Sequence, residues 1–118
     1  MNDVQVSENF KLREFECSCC QQVKLDSTLL ERLQSIRSEV GRPVIINSGY
    51  RCPSHNSAVG GASQSRHMVG DAADFRIPGM SIAQQRELAE KYFGGDGIGY
   101  ANTYTHVDCR GSRARWNY

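Results

Sequence analysis

The segment Ser65-Arg66-His67-Met68-Val69-Gly70-Asp71-Ala72-Ala73-Asp74 constrains this chain more than any other. It sets an imidazole and a carboxylate seven positions apart, with Gly70, Ala72 and Ala73 keeping the backbone between them uncrowded. Such a segment can curl around an ion. A second imidazole, His106, arrives thirty-two residues after Asp74, within His106-Val107-Asp108. Two histidines and one carboxylate make a three-ligand set that suits a catalytic zinc with one open position. His67 reads as the loop side and Asp74 as the strand side of one continuous segment, and His106 on a different strand closes the third corner.

The elements around these residues follow from periodicity. Residues 1–11 read as a loosely ordered lead-in, and Leu12 to Phe15 as a short turn or helix. Leu29, Leu33, Ile36 and Val40, with Leu30, recur at three- and four-residue spacing and predict a helix from Leu25 to Val40. Asp26 or Ser27 can cap it, and Gly41-Arg42-Pro43 ends it. Val44-Ile45-Ile46 reads as a strand that delivers Asn47 to Pro53 into a loop. His55 to Ala58 suggests a helical turn, and Val59-Gly60-Gly61-Ala62 a flexible corner. Asp71 to Ile77 predicts a strand with Ala73, Phe75 and Ile77 on one side and Asp74 and Arg76 on the other. Ser81 caps a second helix running to about Phe93. Ile98 to Tyr100 and Tyr104 to Cys109 predict a final strand pair. The segment from Gly111 to Trp116 is basic with one aromatic and reads as a tail. Helix, strand, loop, strand, helix and hairpin in that order fit an α+β domain, one unit over residues 1–118, with a small, mainly antiparallel sheet.

A metal at this set would polarise its water and draw charge from a scissile carbonyl. That chemistry needs a base for the water proton and an acid for the leaving amine. Asp108 is the best candidate, two residues past His106 on the same strand face; its alternative role is to accept a hydrogen bond from a ligand imidazole and fix its tautomer. Arg51 could hold a substrate carboxylate or a developing oxyanion, against the plainer reading of a surface ion pair. Ser65 could bond near the ligands or shape the turn into His67. His55 is the histidine left over, a candidate for lining the cleft.

Composition narrows the partners. A net charge of +1 offers no broad basic face for nucleic acid. No apolar run approaches the ~20 residues of a membrane helix. The start Met1-Asn2-Asp3-Val4 lacks the pattern of a secretory signal, so synthesis without export is expected, with lysis, holin-type release or a phage particle as the route to an outside substrate. Five cysteines make complete intramolecular pairing impossible. Cys17 and Cys20 have the spacing of one metal-binding pair, but no second pair is visible. The plainer reading is reduced thiols, some buried as small apolar groups.

Several motifs in order carry a resemblance. Ser65-x-His67-x-x-Gly70-x-Ala72-x-Asp74 followed by His106-Val107-Asp108 resembles the zinc D-Ala-D-Ala carboxypeptidase family. Ser48-Gly49-Tyr50-Arg51-Cys52-Pro53 with His55-Asn56, Val59 to Ala62, Gly97-Ile98-Gly99-Tyr100 and Arg113-Ala114-Arg115-Trp116 are similar to it too. The likeness runs from about Phe10 to Trp116, and is strongest to the compact cell-wall peptidases of bacteria and their phages. It implies the Hedgehog/D-Ala-D-Ala peptidase fold, a small antiparallel sheet with helices mainly on one face. It implies one catalytic Zn2+ on His67, Asp74 and His106, with Arg51 touching substrate or stabilising the transition state. It implies a peptidoglycan stem peptide or cross-bridge as substrate, cut by zinc-bound water, and we expect a monomer. Many relatives place the catalytic acid three residues before the last zinc histidine; here that position is Thr103. A non-catalytic binding module of the same fold, or a phage structural component, is the competing expectation. The Cys17–Cys20 cluster resembles a cysteine-bearing N-terminal segment of some relatives.

Overall fold

The structure is a computed structural model that describes residues 2–118. Its first helix, α1 (Ser27–Val40), starts where the Asp26 carboxylate accepts a hydrogen bond from the Leu29 N–H at 3.0 Å. It stops at Gly41, whose φ of +63° takes the left-handed cap that side chains disfavour. Leu29, Leu33 and Ile36 are fully buried on one face, each contributing about 1.5–3 kcal/mol of hydrophobic stabilisation. A later helix, α3 (Ile82–Phe93), begins with a reciprocal cap between Ser81 and Gln84. It packs against α1 and buries Gln85, Leu88, Ala89 and Phe93. Gln85 is the unexpected member of that face. Its amide is satisfied there by the backbone of Ile77 and Met80, which stitches the helix to the preceding turn.

Between and after these helices run β3 (Ile45–Ser48), β4 (Ala72–Arg76), β5 (Gly97–Tyr100), β6 (Thr105–Asp108) and β7 (Ala114–Asn117). They form one sheet in the order β3-β4-β6-β5-β7, antiparallel except for the parallel pair β5–β7. The mainly antiparallel α+β architecture is therefore present, with one strand more than expected. The basic segment near the C-terminus is not a tail but β7, because the free edge of β5 pairs it from Gly97↔Ala114 to Tyr100↔Asn117.

Alternation sorts the sheet's two faces. Ala73, Phe75, Ile77, Val107 and Ile98 point into the core with α1 and α3. Asp74, His106 and Asp108 point the other way, with Asp74 directly opposite His106 in the β4–β6 register. Buried carboxylates and imidazoles thus gather on the face that α1 and α3 leave uncovered. A short helix, α2 (Pro53–Ala58), and a 3-10 turn, Arg66–Met68, pack together on that side.

The start of the chain differs from expectation. β1 (Gln5–Ser7) pairs with β2 (Phe10–Lys11), and Phe10 is 1% exposed in the same core as Phe15. Phe10 and Phe15 pack with ring centroids 5.7 Å apart and planes tilted by 55°, which anchors a segment whose polar composition suggested loose order.

Candidate metal centre

Each residue of the set reaches the site from a different element. His67 sits in the 3-10 turn, where Ser65 immediately before it accepts the His67 backbone N–H through Oγ at 3.2 Å. Ser65 therefore shapes the turn. Asp74 comes from β4 and His106 from β6. All three are buried, and their ligand atoms lie within 4.8 Å of one another.

The hydrogen bonds outside the set fix what faces inward. His67 Nδ1 lies 2.7 Å from the Gly49 carbonyl oxygen, which can only accept, so the proton is on Nδ1 and Nε2 carries a lone pair. His106 Nε2 lies 2.8 Å from Asp108 Oδ2, an acceptor again, so Nδ1 carries the lone pair. Both lone pairs point at Asp74 Oδ1, at 3.2 Å from His67 Nε2 and 3.0 Å from His106 Nδ1. Three acceptors turned on one another repel unless a cation or extra protons lie between them. Asp74 and His106 titrate away from their ordinary values. Burial alone would raise Asp74 and lower His106. Hydrogen-bonding contact with His106 and His67 outweighs it at Asp74, holding that carboxyl well below the usual carboxylate range, and contact with Asp108 and Asp74 holds His106 above an ordinary imidazole. Ligand bonds of ~2.0–2.2 Å in tetrahedral directions place ligand atoms about 3.3 Å apart. The observed spacings fit one such ion.

Asp108 is fully buried and lies across the His106 ring from Asp74. Its Oδ2 accepts from His106 Nε2 and from Arg110 Nη2 at 2.7 Å; its Oδ1 accepts from Arg110 Nε at 2.9 Å and the Gly97 N–H at 3.2 Å. Burial would raise its pKa, yet His106 and Arg110 hold it well below the carboxylate range. It faces no open space. Room for it exists because β5 is bare on this side: a Cβ on Gly97 would collide with both carboxylate oxygens of Asp108.

Arg51 is brought to the set. Its backbone N–H donates to the His67 carbonyl at 3.0 Å, and its guanidinium spans Ser48 Oγ at 3.1 Å, Asn56 Oδ1 at 3.4 Å and Asp74 Oδ2 at 3.4 Å. It is thus tied to the ligand carboxylate instead of making a surface pair. His55 is not brought in. Its Nε2 meets Ser18 Oγ at 3.2 Å, and its ring lines a separate groove with Arg13, Glu14 and Asn47. It faces away because α2 turns that side toward the N-terminal segment.

A cleft of about 670 Å³ opens over His67 and His106, walled by Arg51, Arg66, Arg110, Tyr104, Trp116 and Tyr118, with the corner at Gly60 to Ala62 as a rim. The aromatic wall escapes a reading by motif and spacing. Trp116 lies 5.0 Å from the His106 ring, with the Arg110 guanidinium 4.8 Å over its face. It stands opposite Gly99, where a Cβ would meet Trp116 Nε1 at 2.5 Å. The signal lies in Arg113-Ala114-Arg115-Trp116, legible only once a strand edge is there to receive it. Asn56, which no chemistry singled out, is 3% exposed and holds the rim through the Ala62 carbonyl and the Gly61 N–H.

The chain is similar to known proteins. Residues 8–108 match the family model described as peptidase M15. The chain is 37% identical over 81 residues to the zinc D-Ala-D-Ala carboxypeptidase of Streptomyces albus G, an alignment that covers 64% of this chain and 32% of that protein. It is 33% identical over 95 residues to the probable peptidoglycan L,D-endopeptidase MepK of Haemophilus influenzae, and 31% over 93 residues to MepK of Escherichia coli K12; those alignments cover 72% and 71% of this chain and 50% of each relative. The chain thus spans a third to a half of the length of these relatives. With the match running from the N-terminal hairpin through the last ligand strand, the chain belongs to the peptidase M15 family, alongside the zinc D-Ala-D-Ala carboxypeptidase.

Proposed function

We propose that this chain is a zinc-dependent peptidase that hydrolyses peptide bonds of bacterial peptidoglycan. The observation that carries the reading is the convergence of His67 Nε2, His106 Nδ1 and Asp74 Oδ1 as three unprotonated acceptors beneath an open cleft. His67, Asp74 and His106 would hold the zinc. When bound, zinc supplies Lewis acidity toward a scissile carbonyl and a water nucleophile at neutral pH. The names of the relatives, a D-Ala-D-Ala carboxypeptidase and L,D-endopeptidases, support a wall peptide as substrate. So does the cleft: three guanidiniums suit the carboxylates of a stem peptide or cross-bridge, and Trp116 and Tyr118 offer apolar area beside them. We read the sheet and its helices as the Hedgehog/D-Ala-D-Ala peptidase arrangement, working as a monomer on the cell wall after lysis, holin-type release or delivery by a phage particle, with no nucleic-acid partner.

We assign Asp108 the orienting role. Its oxygens are taken by His106, Arg110 and Gly97, so it holds His106 in the tautomer that presents Nδ1. Arg51, beside Asp74 and lining the cleft, is placed to steady the negative charge that develops on the attacked carbonyl. Digestion of defined peptidoglycan fragments with and without chelator, with products identified by mass, tests the reading. Chelator-sensitive release of D-alanine marks a carboxypeptidase, and cuts within the stem or bridge an endopeptidase. One observation favours a second reading, a zinc-holding binding module without turnover. None of the described residues that line the cleft is a carboxylate, and Thr103 is exposed. Wall fragments bound and recovered intact by the zinc-loaded chain would select it.

A further inference from the structure

Cys17, Cys19, Cys20 and Cys52 bring four sulfurs within 4.8 Å of one another, outside the site described above. Three Sγ–Sγ distances are 3.4 Å for Cys17–Cys19, 3.7 Å for Cys17–Cys52 and 3.3 Å for Cys19–Cys52. A disulfide needs ~2.05 Å, so these are not bonded pairs. Four thiolates around one tetrahedral zinc, with Zn–S near ~2.3 Å, lie about 3.8 Å apart. The observed spacings match a single ion of that kind. We propose that these four cysteines form a second, structural zinc site with an all-sulfur ligand set.

The local chain is built for it. Cys17 N–H donates to the Gln22 carbonyl at 2.7 Å, Gln21 N–H donates to the Cys17 carbonyl at 2.9 Å, and Gln21 takes φ +61°. That tight reversal turns three cysteines toward one point although only Cys17 and Cys20 have the familiar spacing. Cys52 comes from a distant stretch of the chain, just ahead of α2. Backbone N–H groups already serve two sulfurs: Cys52 N–H meets Cys17 Sγ at 3.5 Å, and His55 N–H meets Cys52 Sγ at 3.4 Å. Burial as small apolar groups accounts for Cys17 alone, since Cys19 and Cys20 are exposed. The arrangement also resolves the odd count, leaving Cys109 apart on the β6 side.

The site would join two segments that no regular element links. It would tie the turn after Phe15 to the residue that follows Arg51, and so brace the loop that carries Arg51 to Asp74. Its zinc is held by sulfur alone and does not depend on His67 or His106.

The test uses the full chain, purified under reductant, loaded with Zn2+ or Co2+ and freed of loose metal. Metal per chain is measured by elemental mass spectrometry. The expected result is two ions in the wild type, and one each in His67→Ala and Cys52→Ser. The Co2+ form of His67→Ala keeps the near-ultraviolet sulfur-to-cobalt absorption, and that of Cys52→Ser loses it. Should a variant fail to fold, thiol labelling of the zinc-loaded wild type decides: Cys17, Cys19, Cys20 and Cys52 stay unlabelled until a strong chelator is added. Free labelling of Cys19 and Cys20 in the zinc-loaded chain overturns the proposal. So does a His67→Ala chain without metal, or a disulfide among these cysteines in the reduced, zinc-loaded protein. Loss of wall hydrolysis with both ions retained would count against the proposed function and leave this site standing.

Discussion

Replacing Asp108 by Asn separates orienting from proton transfer. The carboxylate now accepts from His106 Nε2 at 2.8 Å and, through both oxygens, from Arg110 at 2.7 and 2.9 Å. An Asn side chain has one acceptor oxygen for these two donors. If it serves Arg110, its NH2 faces His106 Nε2, and the imidazole must move its proton to Nδ1, the nitrogen that faces Asp74. If it serves His106, its NH2 meets the Arg110 guanidinium, donor against donor. Losing such a partner of a ligand histidine weakens metal affinity by roughly 10–100-fold, which is about 1.4–2.7 kcal/mol. The assay is competition with a chromophoric chelator at neutral pH, the His67→Ala chain serving as the blank for zinc held elsewhere. Hydrolysis at saturating zinc should recover much of the wild-type rate. Unchanged zinc affinity combined with abolished hydrolysis would refute the reasoning and make Asp108 the group that moves the proton.

Three further outcomes are expected. Arg51→Lys removes a planar fork that spans Ser48, Asn56 and Asp74, so hydrolysis should fall by about 10²-fold while the zinc content holds, read as initial rates beside elemental analysis. Gly99→Val drives a side chain into Trp116, so the chain should lose about 1–3 kcal/mol in denaturant titration, with changed tryptophan fluorescence. Burial pushes the Cys109 thiol up to about 12, only partly countered by Arg32, so its alkylation at about pH 8 should stay slow in the folded chain and speed up on unfolding or as pH rises toward that value.

Elements that declare themselves locally were legible. α1 and α3 carry caps and apolar periodicity within their own residues, and β4 shows its two faces by alternation. The clustering of His67, Asp74 and His106 could be read because His67 and Asp74 share one segment and His106 lies on a recognisable strand. What escaped depends on partners far along the chain. β7 has no apolar run of its own and exists because β5 offers an edge. Cys52 lies thirty-two or more residues from the other three sulfurs, so spacing rules found one pair and stopped. The same-face rule placed Asp108 correctly beside His106. It could not show that Arg110, two residues on, folds back to occupy the carboxylate, the contact on which the proposed orienting role rests. For His55, the residue type suggested a cleft, but the direction of α2 decides where the ring points.

Gly97 and Gly99 contribute by what they lack, and this couples their choice to positions on neighbouring strands. The hollow on β5 is the mould into which the Asp108 carboxylate and the Trp116 indole are cast. In a library that randomises 97, 99, 108 and 116 together, under selection for zinc retention, these positions should not drift independently. Glycine at 97 should return with a carboxylate at 108, and glycine at 99 with a large ring at 116. A smaller residue on either partner would release its glycine, so the covariation itself would report how tightly the sheet is fitted to its metal.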